Sequence, residues 1–160
     1  MTGFVQAGEL RIAFDRQGAG PPLLLMHGAE ASRLMYSALM PHLARHFTVI
    51  AYDQRDCGDT EGPQAGSTLA DLGDDARQLI EALGLEHAHV FGSSFGGRVA
   101  QALALRHPRS VRRLVLGSTW PLPTAYESLC PDAPRLAELR RRLPATAEEL
   151  ATWFFPEAFL

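Results

Sequence analysis

Apolar and polar positions alternate loosely over residues 3–7 and again over 10–17 (LRIAFDRQ), on either side of Gly8, as two antiparallel strands would. PPLLLMHG (21–28) runs almost unbroken in apolar residues to a glycine, the pattern of a strand buried on both faces. SRLMYSALMPHLARH (32–46) places Leu34, Met35, Leu39 and Leu43 at helical spacing, with Ser32 as a candidate N-cap. Pro41 predicts a kink or an early end to that helix. FTVIAYD (47–53) reads as a second buried strand, and the Gly- and Asp-rich stretch 54–67 as a loop. From Thr68 the positions Leu69, Leu72, Ala76, Leu79, Ile80 and Leu83 predict an amphipathic helix; Thr68 with Asp71 forms a capping box and Gly84 supplies the stop. HAHVFG (87–92) predicts a third buried strand, 95–107 a helix of small residues ended by Pro108, and VRRLVLG (111–117) a fourth buried strand.

Apolar strands alternating with helices indicate an α/β fold, a mostly parallel sheet with helices on both faces joined by right-handed crossovers. After Trp120 the pattern changes. Six prolines between 121 and 156 break up short helical pieces, which divides the chain into a core over 1–120 and a helical layer over 121–160.

Composition narrows the function classes. At 160 residues with 46% apolar and 21% charged residues, the chain has the make-up of a globular protein able to bury a real core. A net charge of −3 gives no reason to expect nucleic acid or an anionic membrane as partner. All fifteen basic residues are Arg, with neither Lys nor Asn present, a composition expected of a GC-rich bacterial genome. No signal peptide and no membrane-spanning run is visible, and Cys57 and Cys130 have no C-x-x-C spacing, so reduced thiols and a cytoplasmic location are expected.

The chemistry concentrates in HVFGSSFGGRVA (89–100). Ser94 stands in Gly92-Ser93-Ser94-Phe95-Gly96, where the third core strand meets a helix. A tight strand-to-helix turn lifts a serine oxygen above the sheet, and Gly92 and Gly96 keep the two backbones close. The helix behind points unpaired N–H groups at the serine, beginning with that of Phe95, where an oxyanion would form. The motif is neither a dinucleotide fingerprint nor a phosphate loop. LLLMHGAE ends another buried strand in His27 and Gly28, and this loop opens at the same sheet edge, which makes the Ala29 N–H a candidate second donor.

LLLMHG, VIAYDQRDCGDT, VFGSSFGG and HPRSVRRLVLGS stand in the order and spacing of the α/β-hydrolase family, which residues 10 to 120 resemble. The resemblance implies that Ser94 is a nucleophile, that Phe95 and Ala29 form the oxyanion hole, and that residues from 121 begin a lid. It implies a serine hydrolase of a small ester or lactone, with no cofactor and no metal, and a small molecule as its partner. Serine rather than aspartate at position 94 argues against a haloalkane dehalogenase or epoxide hydrolase, and HGAEAS does not match the His-Gly-Gly-Pro-Gly of prolyl peptidases. The loop departs from the family pattern at Asp56, where relatives commonly carry Gly. Asp53 and Arg55 are expected to shape this loop, His27 to support the oxyanion loop, and Glu30 and Trp120 to contact substrate.

A serine nucleophile needs a base and an orienting acid, and in this fold they follow it in the order Asp or Glu, then His. After Ser94 the only histidine is His107, at the close of a helix, and Glu127 and Asp132 fall in the Pro-broken segment. His42 and His46 end the first helix. His87 and His89 open the third strand at its far end, with no third ligand to make a metal site. No triad acid or histidine is therefore found in this chain, and the fold is expected to be incomplete on its C-terminal side. The rival readings are a catalytically incomplete binding module, and a site completed by a second chain.

Overall fold

A computed structural model describes residues 2–63 and 66–159. Two strands, β1 (Thr2–Ala7) and β2 (Leu10–Gln17), pair antiparallel around a two-residue turn in which Gly8 takes a φ of 59°. The remaining strands are β3 (Pro22–Met26), β4 (Thr48–Tyr52), β5 (Ala88–Ser93) and β6 (Val111–Gly117). They form one sheet in the order β1-β2-β4-β3-β5-β6, in which β4, β3, β5 and β6 run parallel and β2 meets β4 antiparallel.

Alternation across the pleat explains why β3 is apolar throughout and β4 is apolar after Thr48. Leu24, Met26, Ile50, Tyr52 and Val90 face helices α2 (Leu69–Ala82) and α3 (Phe95–Arg106), packing on Leu79, Ile80, Val99 and Leu103. Leu25, Val49 and Ala51 face the other way, onto Tyr36 and Met40. Each buried side chain of Leu or Ile size contributes about 1.5–3 kcal/mol. Helix α2 begins with the expected capping box: the Thr68 hydroxyl accepts from Asp71 N–H while the Asp71 carboxylate accepts from Thr68 N–H at 2.7 Å.

Two expectations are corrected. Residues 32–46 do not form one helix with Leu34, Met35 and Leu39 inside. They form a 310 turn over Arg33–Tyr36, then the short α1 (Met40–Leu43), with Leu34, Met35 and Leu39 exposed and Arg33, Tyr36 and Met40 buried. Three residues per turn carries Arg33 and Tyr36 inward together, and Pro41 opens α1 rather than breaking it. Ser32 does cap the turn, its hydroxyl accepting from Leu34 N–H. The second correction is β6, which is not buried: residues 112–116 are exposed at the end of the sheet. An apolar run records what a strand can bury, and burial itself needs a neighbour.

The chain separates into two compact units, residues 1–122 and 123–160. The second contains α4 (Ala133–Arg141) and α5 (Ala147–Thr152), with Ala133, Leu136 and Leu139 buried and Arg135 paired to Glu149. Among the described residues no helix is long and apolar enough to cross a membrane.

Candidate active site

Strand β5 ends at Ser93 and α3 begins at Phe95, so Ser94 alone makes the turn, with φ 52° and ψ −119°. For a residue with a side chain this conformation costs on the order of 1–3 kcal/mol and persists only where its surroundings impose it. Here they do. Ser94 N–H donates to the Gly117 carbonyl at 2.9 Å, and the Ser94 carbonyl accepts from Gly97 N–H at 3.0 Å and from the Thr119 hydroxyl at 2.7 Å.

The glycines are required by close approach. A side chain on Gly92 would strike the Gly96 carbonyl, and one on Gly96 would overlap the Met26 and His27 carbonyl oxygens at the end of β3. Gly97, which the sequence reading did not single out, leaves room for the Thr119 side chain. The doubled glycine in FGG was the available signal for it.

The loop after β3 lies directly beside the serine. A Cβ placed on Gly28 would sit 3.5 Å from Ser94 Cβ and 3.9 Å from its Oγ. His27, 1% exposed, is fully engaged: Nδ1 meets the Gly28 carbonyl at 2.8 Å, and Nε2 accepts from Gln54 N–H at 3.2 Å. These partners place the proton on Nδ1. Burial lowers the His27 pKa, with the Gly28 carbonyl and the Asp53 charge opposing, so the ring is neutral at pH 7. The Gln54 side-chain amide donates back to the His27 carbonyl at 2.7 Å.

A second clip holds the far end of the same loop. Asp53, 0% exposed, accepts from Arg33 N–H at 2.7 Å and pairs with the Arg33 guanidinium, which also reaches Asp59 at 2.7 Å and Asp15 at 3.3 Å. Asp59 N–H and the Thr60 hydroxyl bond to Asp53 in turn. Arg55 is a strut, bidentate to Asp75 on α2 and bonded to Glu9 at 2.8 Å. Residues 27–33, which carry Ala29, are thus fastened at both ends to 53–60. Sequence reasoning missed Arg33 and Gln54: Arg33 falls outside the helical spacing read over 32–46, and Gln54, although inside VIAYDQRDCGDT, was not singled out there.

Gly28, Ala29, Glu30, Phe95, Cys57 and Leu72 line a cleft of about 280 Å³, with Glu30 at φ 59°. Burial raises the Cys57 thiol pKa, which favours the neutral thiol. Trp120 stands at the C-terminal end of β6, its carbonyl accepting from Gln101 at 3.0 Å and its ring beneath the Arg98 guanidinium. The structure therefore brings Ser94, Phe95, Gly28, Ala29 and Glu30 together, with Trp120 beside α3. Glu127 and Asp132 belong to the second unit. His46, His87 and His89 lie at the amino edge of the parallel strands, and His42 is on α1 against Arg45. His107 caps the end of α3 remote from Ser94, about 18 Å along a helix of twelve residues, and bonds Asp74. Among the described residues no group of three or more His, Cys, Asp and Glu could hold a metal ion.

Comparison with known proteins places the chain among relatives. Residues 21–150 match the family described as the alpha/beta hydrolase fold. The chain is 37% identical over 145 residues to a 2-hydroxymuconate semialdehyde hydrolase of Pseudomonas sp. (strain CF600), covering 86% of this chain and 51% of that protein. It superposes on the crystal structure of a hydrolase from Pseudomonas aeruginosa PA01 with a TM-score of 0.79 and 34% identity, covering 98% of this chain and 60% of the other. A malate-bound thermophilic esterase from Thermogutta terrifontis gives a TM-score of 0.77 and 30% identity, covering 94% and 57%. The chain spans about half the length of the curated relatives it matches.

Proposed function

The chain belongs to the alpha/beta hydrolase fold family, and from that premise we propose that it is the nucleophile-bearing part of a serine hydrolase acting on a small carboxylic ester or lactone. The observation that carries this reading is Ser94, held in a strained turn between β5 and α3 with Gly28 against its side chain. The likeness to a named esterase is in keeping with it.

In this proposal Ser94 Oγ attacks the ester carbonyl carbon while its proton passes to a base. The carbonyl electron pair moves onto oxygen, and the Phe95 and Ala29 N–H groups receive the oxyanion. One such donor is worth about 3 kcal/mol of transition-state stabilisation. Collapse breaks the bond to the alkoxide, which departs with the proton from the base and leaves an acyl group on Ser94. Water, deprotonated by the same base, then releases the carboxylic acid and restores the serine. The sequence of steps needs no cofactor.

His27 is unsuited to be the base, because both ring nitrogens are already committed and burial holds the ring neutral. The other five histidines stand away from Ser94. The base and its orienting acid are therefore proposed to come from outside these 160 residues, either from the rest of a longer protein or from a second chain. The same observation favours a second reading, in which residues 1–160 by themselves bind ligand without turnover. The test is hydrolysis of a neutral aryl ester by the protein at its full natural length. Ser94→Ala should lower kcat by about a thousandfold or more, and an unchanged kcat would end the serine-hydrolase reading.

A further inference from the structure

Arg98 lies one turn into α3, four residues after Ser94. Residues four apart on a helix share a face, and their side chains lean toward the helix N-terminus, which here is the serine end. The Arg98 guanidinium lies 5.0 Å from the centre of the Trp120 ring. The backbone that carries the ring is anchored: Gln101 on α3 holds the Trp120 carbonyl, and the adjacent Thr119 hydroxyl holds the carbonyl of Ser94. Arg98 and Trp120 are thus fixed to the same turn as the proposed nucleophile, at the carboxyl edge of the parallel strands.

The other arginines placed deep in this unit are matched to acids. Arg33 meets Asp53, Asp59 and Asp15, and Arg55 meets Asp75 and Glu9. Among the described residues no carboxylate pairs with Arg98, and its Nε is buried with no hydrogen-bond acceptor. A donor of a charged group withdrawn from water without an acceptor is unfavourable, and a negatively charged oxygen answers it best. The guanidinium fork fits a carboxylate in a bidentate pair, the indole face fixes its plane, and the N-terminal turn of α3 adds positive potential.

We propose that Arg98, stacked on Trp120, is a subsite for a carboxylate of the substrate, so that the preferred substrates are esters or lactones carrying a free carboxylate a few bonds from the scissile carbonyl. This rests on Ser94 being the nucleophile. It separates substrates that the Ser94 turn alone would treat alike.

The experiment compares kcat/KM for p-nitrophenyl hydrogen succinate and p-nitrophenyl butyrate, esters of equal acyl length that differ in charge, in the protein at its full natural length. Arg98→Gln should lower the ratio of anionic to neutral ester by about 10- to 100-fold, the worth of a hydrogen bond to a charged group. Arg98→Lys should recover part of it. Arg109→Gln, which removes an exposed arginine from the turn after α3, should leave the ratio within about twofold, since exposed charges contribute little. An unchanged ratio in Arg98→Gln overturns the subsite, including the case where that variant loses thermal stability because a carboxylate elsewhere in the protein pairs with Arg98. Calorimetry with succinate reads the subsite without turnover. Succinate binding that Arg98→Gln abolishes, in a protein whose Ser94 resists a fluorophosphonate, would sink the hydrolase reading and leave the carboxylate site standing. A labelled Ser94 with no Arg98-dependent binding or discrimination would sink the carboxylate site alone.

Discussion

Arg33→Met removes a guanidinium from among three carboxylates and leaves Asp53, fully buried, without its cation. Breaking a buried pair by deleting one partner costs about 3–5 kcal/mol. Asp53 would keep two backbone donors, Arg33 N–H at 2.7 Å and Asp59 N–H at 2.8 Å. These moderate the loss, so about 3 kcal/mol is expected, at the low end of that range. With a urea dependence of about 2–3 kcal/mol/M, the unfolding midpoint should fall by about 1–1.5 M. Urea titrations of wild type, Arg33→Met, Asp53→Asn and the double variant, in the protein at its full natural length, complete a double-mutant cycle. Because the side chains are in direct contact, the double variant should be less destabilised than the sum of the singles, by about 2 kcal/mol. A midpoint shift below about 0.3 M, under 1 kcal/mol on the same slope, would refute the clip at the far end of the Ala29 loop. So would an additive cycle.

The other expectations concern the turn and the surface. Gly96→Ala drives a methyl group into two backbone carbonyls that cannot step aside, and should cost at least about 2 kcal/mol in a urea titration, with slower reaction of Ser94 toward a fluorophosphonate. Asp74 is held at about 2 by hydrogen bonds from Arg106, with burial opposing and His107 assisting. Its folded pKa lies below the unfolded value of about 3.9, so its contribution is present above pH 4 and lost as the pH falls toward 2. Asp74→Asn should flatten that acid limb of the stability curve by less than about 1 kcal/mol, because the pair is partly solvated. Urea midpoints at pH 5 and pH 2.5 measure it.

How far the sequence revealed this depends on the physics behind each part. Strands β3 and β4 were legible because a parallel strand covered on both faces reads as a near-continuous apolar run, and β5 because its run ends in the Gly92 turn, although only its alternate positions Ala88, Val90 and Gly92 are fully buried. The Ser94 turn was legible because close backbone approach admits only glycine at Gly92 and Gly96, and that demand is local. Arg33 was not legible. Its reason for being buried is Asp53, twenty residues later, and a buried ion pair leaves no periodic trace. The leucines around it satisfied a helical period that the chain does not use, since a 310 turn presents every third residue to the same side. Arg98 was hidden for the converse reason: an arginine in the first turns of a helix reads as surface, and only the missing carboxylate and the Trp120 ring set it apart. The exposure of β6 was misjudged because its apolar run describes the strand and not what lies beside it.

In the proposed function the turn between β5 and α3 activates Ser94. Fluorophosphonate labelling of the protein at its full natural length, followed by peptide mapping that separates Ser93 from Ser94, tests it most directly. An activated Ser94 should give a single phosphonyl adduct that disappears in Ser94→Ala and persists in Ser93→Ala. No adduct, or one on Ser93, would contradict it.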